Sequence, residues 1–119
     1  MKKLILLSII LIHFSCQKER EIYPATDSAL TLIQSFRLVT ETGTNAISNV
    51  QINAENATVT IQANPDVSIT HLFPSATISE GAIVEPALGV YTDFSTPVTY
   101  TVIAGNRVDQ QRWTVTVTN

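Results

Sequence analysis

Two runs near the C-terminus constrain the backbone more tightly than anything else in the chain. Val98-Thr99-Tyr100-Thr101-Val102 and Trp113-Thr114-Val115-Thr116-Val117 each alternate an apolar residue with a threonine. A repeat of two is the side-chain period of a β-strand. Val98, Tyr100 and Val102 then share one face, with Thr99 and Thr101 on the other. Trp113, Val115 and Val117 do the same. β-branched residues lose χ1 freedom in a helix and fit a pleated, half-buried surface, so the residue types agree with the period. Between the runs lies Ala104-Gly105-Asn106-Arg107-Val108-Asp109-Gln110-Gln111. Gly105 and Asn106 tolerate positive φ, which predicts an antiparallel hairpin turning at those two residues.

Earlier segments repeat the theme. Leu32 to Val39 reads as a first strand with Phe36 and Leu38 on one face. Val50-Gln51-Ile52 and Thr58-Val59-Thr60-Ile61 flank the polar turn Asn53-Ala54-Glu55-Asn56-Ala57 and form a second hairpin. Asn64-Pro65-Asp66 marks a turn. Val67-Ser68-Ile69 opens a further short strand that includes His71, and Ala76-Thr77-Ile78 and Ala82-Ile83-Val84 follow. Pro86 and Pro97 lack a backbone donor and belong at strand ends or edges. No window from residue 30 to 119 sustains a helical period. Short strands about ten residues apart, separated by turn signals, predict an all-β sandwich. Its expected core is Phe36, Val50, Ile52, Val59, Ile61, Ile69, Leu72, Ile78, Val84, Phe94, Tyr100, Val102, Trp113, Val115 and Val117.

The N-terminus is of another kind. Lys2 and Lys3 precede Leu4 to Phe14, an uncharged run far shorter than the roughly 20 apolar residues of a spanning helix. With the abrupt switch to Gln17-Lys18-Glu19-Arg20-Glu21, this reads as an export signal, residues 1–15, rather than a buried helix. Cys16 is the chain's one cysteine, so no internal disulfide exists. Ile12-His13-Phe14-Ser15-Cys16 resembles a relaxed bacterial lipobox: Ser15 suits it, whereas His13 and Phe14 depart from the usual Leu and small residue. The resemblance implies lipidation of Cys16. The charged run after it is similar to the signal that sends Bacteroidetes lipoproteins to the outer face of the outer membrane. Residues 16–29 are then the lipidated cysteine and a flexible tether. Asp27-Ser28-Ala29 resembles a Bacteroidetes O-glycosylation motif, which makes Ser28 a candidate acceptor.

Cleavage before Cys16 leaves Lys18, Arg20, Arg37, Arg107 and Arg112 against ten carboxylates, a net charge of −5. Nucleic-acid binding needs clustered Lys and Arg, so that partner is excluded. Nor is there a polybasic attraction to anionic lipid. The membrane is then held through the covalent anchor, and one acyl chain alone binds only marginally. The lipoprotein resemblance implies several.

One order of phrases runs through the rest: Leu72-Phe73-Pro74, Ile78-Ser79-Glu80-Gly81-Ala82, Pro86-Ala87-Leu88-Gly89, Asp93-Phe94, Pro97 to Val102, and Trp113 to Val117. It resembles an Ig-like domain of unknown function in many Bacteroidetes surface lipoproteins, and it is similar to bacterial cadherin-like sandwiches. Leu88 departs from the small polar residue usual before that glycine. The resemblance covers about residues 30–119, implies a single Ig-like antiparallel sandwich, and brings no catalytic residues. In physical terms, Gly81 and Gly89 serve turns that a Cβ opposes, and Asp93 suits an Asx-turn.

Chemistry is sparse. His71 is the one histidine after Cys16, and no Gly-x-Ser-x-Gly phrase occurs. A zinc site needs three or four ligands, and no calcium-loop carboxylate cluster appears, so no metal or cofactor is expected. The carboxylates Asp27, Glu41, Glu55, Asp66, Glu80, Glu85, Asp93 and Asp109 stand singly, which does not suit a glycosidase pair. The expectation is a non-enzymatic surface module for adhesion, spacing or protein assembly, with a sheet edge open to β-augmentation. The alternative is a glycan-binding accessory lipoprotein of a polysaccharide-uptake system. Exposed aromatic rings distinguish the two. Tyr100 and Trp113 lie in phase with core valines, which leaves Tyr91 and Tyr23 as candidates.

Overall fold

The computed structural model describes residues 24–119. The predicted signal peptide, Cys16, the charged run and Tyr23 lie outside the described residues. Seven strands follow in order: β1 (Ile33–Val39), β2 (Ile47–Asn53), β3 (Thr58–Ala63), β4 (Phe73–Ile78), β5 (Ile83–Glu85), β6 (Val98–Ile103) and β7 (Gln110–Thr118). They make an all-β sandwich of two unequal sheets. β1 and β4 form the smaller; the larger runs β2-β3-β7-β6-β5.

All pairings are antiparallel but one. β3 and β7 run parallel, with Val59 beside Val115 and Ile61 beside Val117. The chain leaves β3 for the small sheet, returns through β5 and β6, and then places β7 between β6 and β3. A parallel neighbour requires such a long crossover.

The two C-terminal runs behave as their period predicts. Trp113, Val115, Val117, Tyr100 and Val102 are buried, with Val59, Ile61 and Ala63 of β3 beside them. Ile33, Phe36 and Leu38 of β1 close the core from the other sheet. Ile33 and Phe36 are three apart yet both face inward. A register shift between Ile33 and Ser35 adds the residue that makes this possible. The Phe36 and Tyr100 rings meet across the sheets with centroids 6.1 Å apart. The Trp113 indole N–H donates to the Thr31 carbonyl at 2.9 Å, so its polar atom is satisfied inside the core.

Four local expectations change. The 104–109 turn takes positive φ at Arg107 (62°), not at Gly105 or Asn106. Gly105 is buried against Thr26 instead, where a Cβ would collide with the Thr26 side chain. Val67 to Ile69 form turns rather than a strand, and His71 lies in a bend just before the isolated Leu72–Thr92 bridge. This segment carries the chain from one sheet to the other, so it has no strand partner at Val67 to Ile69. Finally, Val50 is 36% exposed. It pairs with buried Ile61 and so points inward, but β2 is the edge of the larger sheet, beyond the cover of a two-stranded partner.

Residues 26–28 dock on the sandwich. The Thr26 amide donates to Gly105 O at 2.7 Å, and the Asn106 amide donates to Ser28 O at 2.9 Å.

Candidate functional site

The outer face of the β1–β4 sheet carries the most distinctive surface chemistry. In β4, Pro74 is buried and Ala76 and Ile78 face the core, which turns Phe73, Ser75 and Thr77 outward. In β1, Phe36 and Leu38 face inward, and Val39, Arg37 and Ser35 lie opposite Phe73, Ser75 and Thr77 on the outer face.

A loop adds an aromatic ring to this face. Leu72 and Thr92 exchange both backbone hydrogen bonds, at 3.1 and 2.8 Å, and the Gly89 amide donates to Pro74 O at 3.1 Å. These bonds hold residues 89–92 along β4. Thr92 also hydrogen-bonds the Tyr100 side chain, whose hydroxyl pKa is pushed up by burial and only partly lowered by Thr92. Gly89 has φ of 86°, in the region that favours glycine.

Tyr91 is thereby fixed beside β4. Its ring stacks on His71 with centroids 4.3 Å apart and planes 6° from parallel. Phe73 meets it edge-on at 5.4 Å and 68°. His71 Nε2 lies 3.2 Å from Glu41 Oε1. Glu41 comes from the Thr40–Thr44 turn, which closes through Thr40 N–H to Thr44 O at 2.9 Å. All four side chains are open to solvent: Tyr91 is 44% and Phe73 37% exposed, His71 and Glu41 more so.

A partly exposed aromatic cluster edged by a carboxylate suits binding. An aromatic face is electron-rich and attracts the weakly positive C–H bonds of an apolar surface such as one side of a pyranose ring. The Glu41 carboxylate accepts hydrogen bonds from hydroxyls. General-base work asks more of His71: a nucleophile within its hydrogen-bonding reach. Its Nε2 is instead engaged by Glu41 and its ring by Tyr91.

Other hollows lie elsewhere. One, on the β2–β3 hairpin, is lined by Gln51, Asn53, Glu55, Thr58 and Thr60. A second is apolar and lies between β4 and β5, around Ile78, Ile83, Val84 and Leu88, and a third is lined by Thr26, Ser28, Leu30 and Glu80. None of these three is lined by an aromatic ring. Among the described residues no group of three or more His, Cys, Asp or Glu converges as a metal site would need.

The sequence candidates are distributed as follows. Tyr91 is exposed and central to the cluster; His71 is at the surface; Tyr100 and Trp113 are buried. The Ser28 hydroxyl accepts from the Leu30 amide at 3.3 Å. The Asp93 carboxylate accepts from the Ser95 amide at 2.8 Å and closes the expected Asx-turn. That amide, with the Ser95 side chain, holds its pKa below the ordinary aspartate value. Glu41 and Phe73 did not stand out as site residues. Phe73 carried a signal: it lies in the polar phase of β4, with Ser75 and Thr77, where a large ring is out of place.

Comparison with known proteins adds to this geometry. A family model described as SGBP, N-terminal, matches residues 33–117. No curated protein matches. Among solved structures, a protein of Bacteroides thetaiotaomicron described as a candidate glycoside hydrolase superposes with a TM-score of 0.67 at 30% identity over 84% of this chain. The chain spans 27% of that protein's length. A protein of Bacteroides fragilis described as a candidate secreted protein gives a TM-score of 0.57 at 20% identity, covering 76% of this chain and 95% of that one. This second likeness is one of fold.

Proposed function

The chain belongs to the SGBP, N-terminal, family, and from that premise we propose that it is a non-enzymatic glycan-binding accessory protein of the bacterial cell surface, serving a polysaccharide-uptake system. The observation that carries this reading is the exposed cluster of Tyr91, His71 and Phe73 on the outer face of the β1–β4 sheet. The residues alone put adhesion, spacing or protein assembly first. A family of glycan-binding proteins supports the alternative better, and the exposed rings are the feature that separates the two.

In this reading a sugar ring lies against the Tyr91–Phe73 surface, and Glu41 and nearby hydroxyls orient it. The protein needs no catalytic group of its own: it raises the local concentration of a polymer for partners that cut or import it. The export signal and the lipid on Cys16 hold it at the outer membrane of a Bacteroidetes cell, facing outward, and Ser28, where the segment after the anchor docks on the sandwich, is the candidate site of O-glycosylation.

The test is a glycan array with the soluble domain, followed by calorimetric titration of the strongest ligand. Tyr91→Ala is expected to weaken binding at least about tenfold, a loss of roughly 1.4 kcal/mol, without lowering the thermal midpoint by more than a few degrees. Unchanged binding by this variant refutes the site. For the anchor, labelled fatty acid is expected to tag the parent and not Cys16→Ser; equal labelling of both refutes it.

A further inference from the structure

We infer that the outer face of the β1–β4 sheet takes an acidic glycan, with a carboxylate or sulfate on the sugar next to the one stacked at Tyr91, and that Arg37 recognises the acid. The inference rests on the glycan-binding reading and specifies its substrate class.

The placement of Arg37 carries it. Arg37 lies opposite Ser75, and Val39 lies opposite Phe73. Arg37 and Phe73 are thus diagonal neighbours on one face, about 7–8 Å apart. A sugar stacked at the aromatic end places its chain neighbour over Arg37 and Ser75. Further on, Ser35 lies opposite Thr77, so hydroxyls continue the path.

The state of Arg37 points the same way. It is exposed and makes no hydrogen bond or ion pair with another described residue. Among the described residues the other cations lie elsewhere. Arg107 is bonded to the Gly81 and Ala104 carbonyls in the β6–β7 turn. Arg112 is also exposed, but it lies on β7 in the other sheet, opposite Thr101 in the strand register and away from the aromatic cluster. A planar guanidinium binds carboxylate or sulfate through two parallel hydrogen bonds, a geometry that a neutral sugar does not use. Of the open guanidinia among the described residues, Arg37 lies on the face that carries the aromatic cluster, and there it is the local complement of an anion.

Direction follows from charge. Glu41 stands at the aromatic end and Arg37 beyond it. Repulsion at Glu41 and attraction at Arg37 orient an acidic chain with its anionic sugar toward Arg37.

The experiment titrates the full soluble domain with four probes: an oligogalacturonate, its carboxyl-reduced form, a sulfated galactan oligosaccharide and its desulfated form. The expected result is tighter binding of one acidic probe than of its neutral counterpart, by about tenfold or more. Arg37→Gln is expected to erase that difference and leave the neutral probe's affinity unchanged. Which pair shows the preference distinguishes carboxylate from sulfate. Added salt is expected to weaken the acidic probe selectively. Equal binding of acidic and neutral forms, or a preference that survives Arg37→Gln, overturns the inference while Tyr91-dependent binding keeps the glycan reading. Binding of none of the four probes, with a blank glycan array, overturns both.

Discussion

Replacing Trp113 tests the sandwich at its centre. Trp113 is 1% exposed, lies opposite Tyr100 in the β6–β7 ladder, and donates its indole N–H to Thr31 O at 2.9 Å. Trp113→Ala removes the whole side chain, a change that costs about 3–5 kcal/mol in a core. Trp113→Phe keeps a ring in the site but loses the hydrogen bond, worth a net 0.5–1.5 kcal/mol or about 1. It also leaves a gap whose cost is about 1 kcal/mol. The Phe variant should therefore lose about 2 kcal/mol, and the Ala variant about twice that. Against a stability of roughly 5–15 kcal/mol, the Ala variant approaches unfolding at the lower bound. In a domain of this size 1 kcal/mol moves the thermal midpoint by about 4–8 °C, so Trp113→Phe should melt about 8–16 °C lower. Trp113 is the chain's one tryptophan, so the melts must be followed by far-UV circular dichroism. Urea curves of unchanged slope give the free-energy difference directly. A Phe variant within about 0.5 kcal/mol of the parent, the range of ordinary surface changes, refutes both the packing and the bond to Thr31.

Other perturbations have equally definite outcomes. Gly105→Ala brings a Cβ into the Thr26 side chain and should cost about 1–3 kcal/mol by overpacking. Gly43→Ala, with φ of 86° and open space around it, should cost only the left-handed backbone strain of about 1–2 kcal/mol; paired urea melts with Thr26→Ala decide, since Thr26→Ala should rescue Gly105→Ala and not Gly43→Ala. Val59→Ala, at a fully buried position, should cost about 1.5–3 kcal/mol. Val50→Ala at the sheet edge should stay within about 0.5 kcal/mol, and equal losses would contradict the edge placement. Because the Ser95 amide lowers the folded pKa of Asp93, its ionised form contributes stability above the ordinary aspartate pKa of about 4. That contribution is lost as pH falls through the lower folded value. Asp93→Asn should therefore be less stable than the parent near neutral pH, with the difference closing on acidification; a difference constant with pH would refute the assignment.

The fold was legible where local chemistry and tertiary burial demand the same thing. Val98 to Val102 and Trp113 to Val117 alternate because one face meets the core and the other meets water. The turn at Asn53 to Ala57 and the Asx-turn at Asp93 were readable because their hydrogen bonds are local. The errors share a cause. Gly105 looked like a positive-φ turn residue, but its missing Cβ makes room for Thr26, 79 positions away by the numbering of the chain. Val50 looked like core because it alternates correctly, yet its strand lies at an edge.

The candidate site divides the same way. Period two alone puts Phe73 and Arg37 in the outward phases of their strands, and the burial of Tyr100 and Trp113 in phase with core valines leaves Tyr91 as a candidate exposed ring. Their meeting depends on one register, Val39 opposite Phe73, and on the backbone bridge from Leu72 to Thr92. The sequence by itself determined which faces are apolar, because burial acts on every residue with the strand's own period. Only the tertiary structure decided which strands adjoin, which edge stays open and which rings meet, because those are set by pairings between residues far apart in the chain.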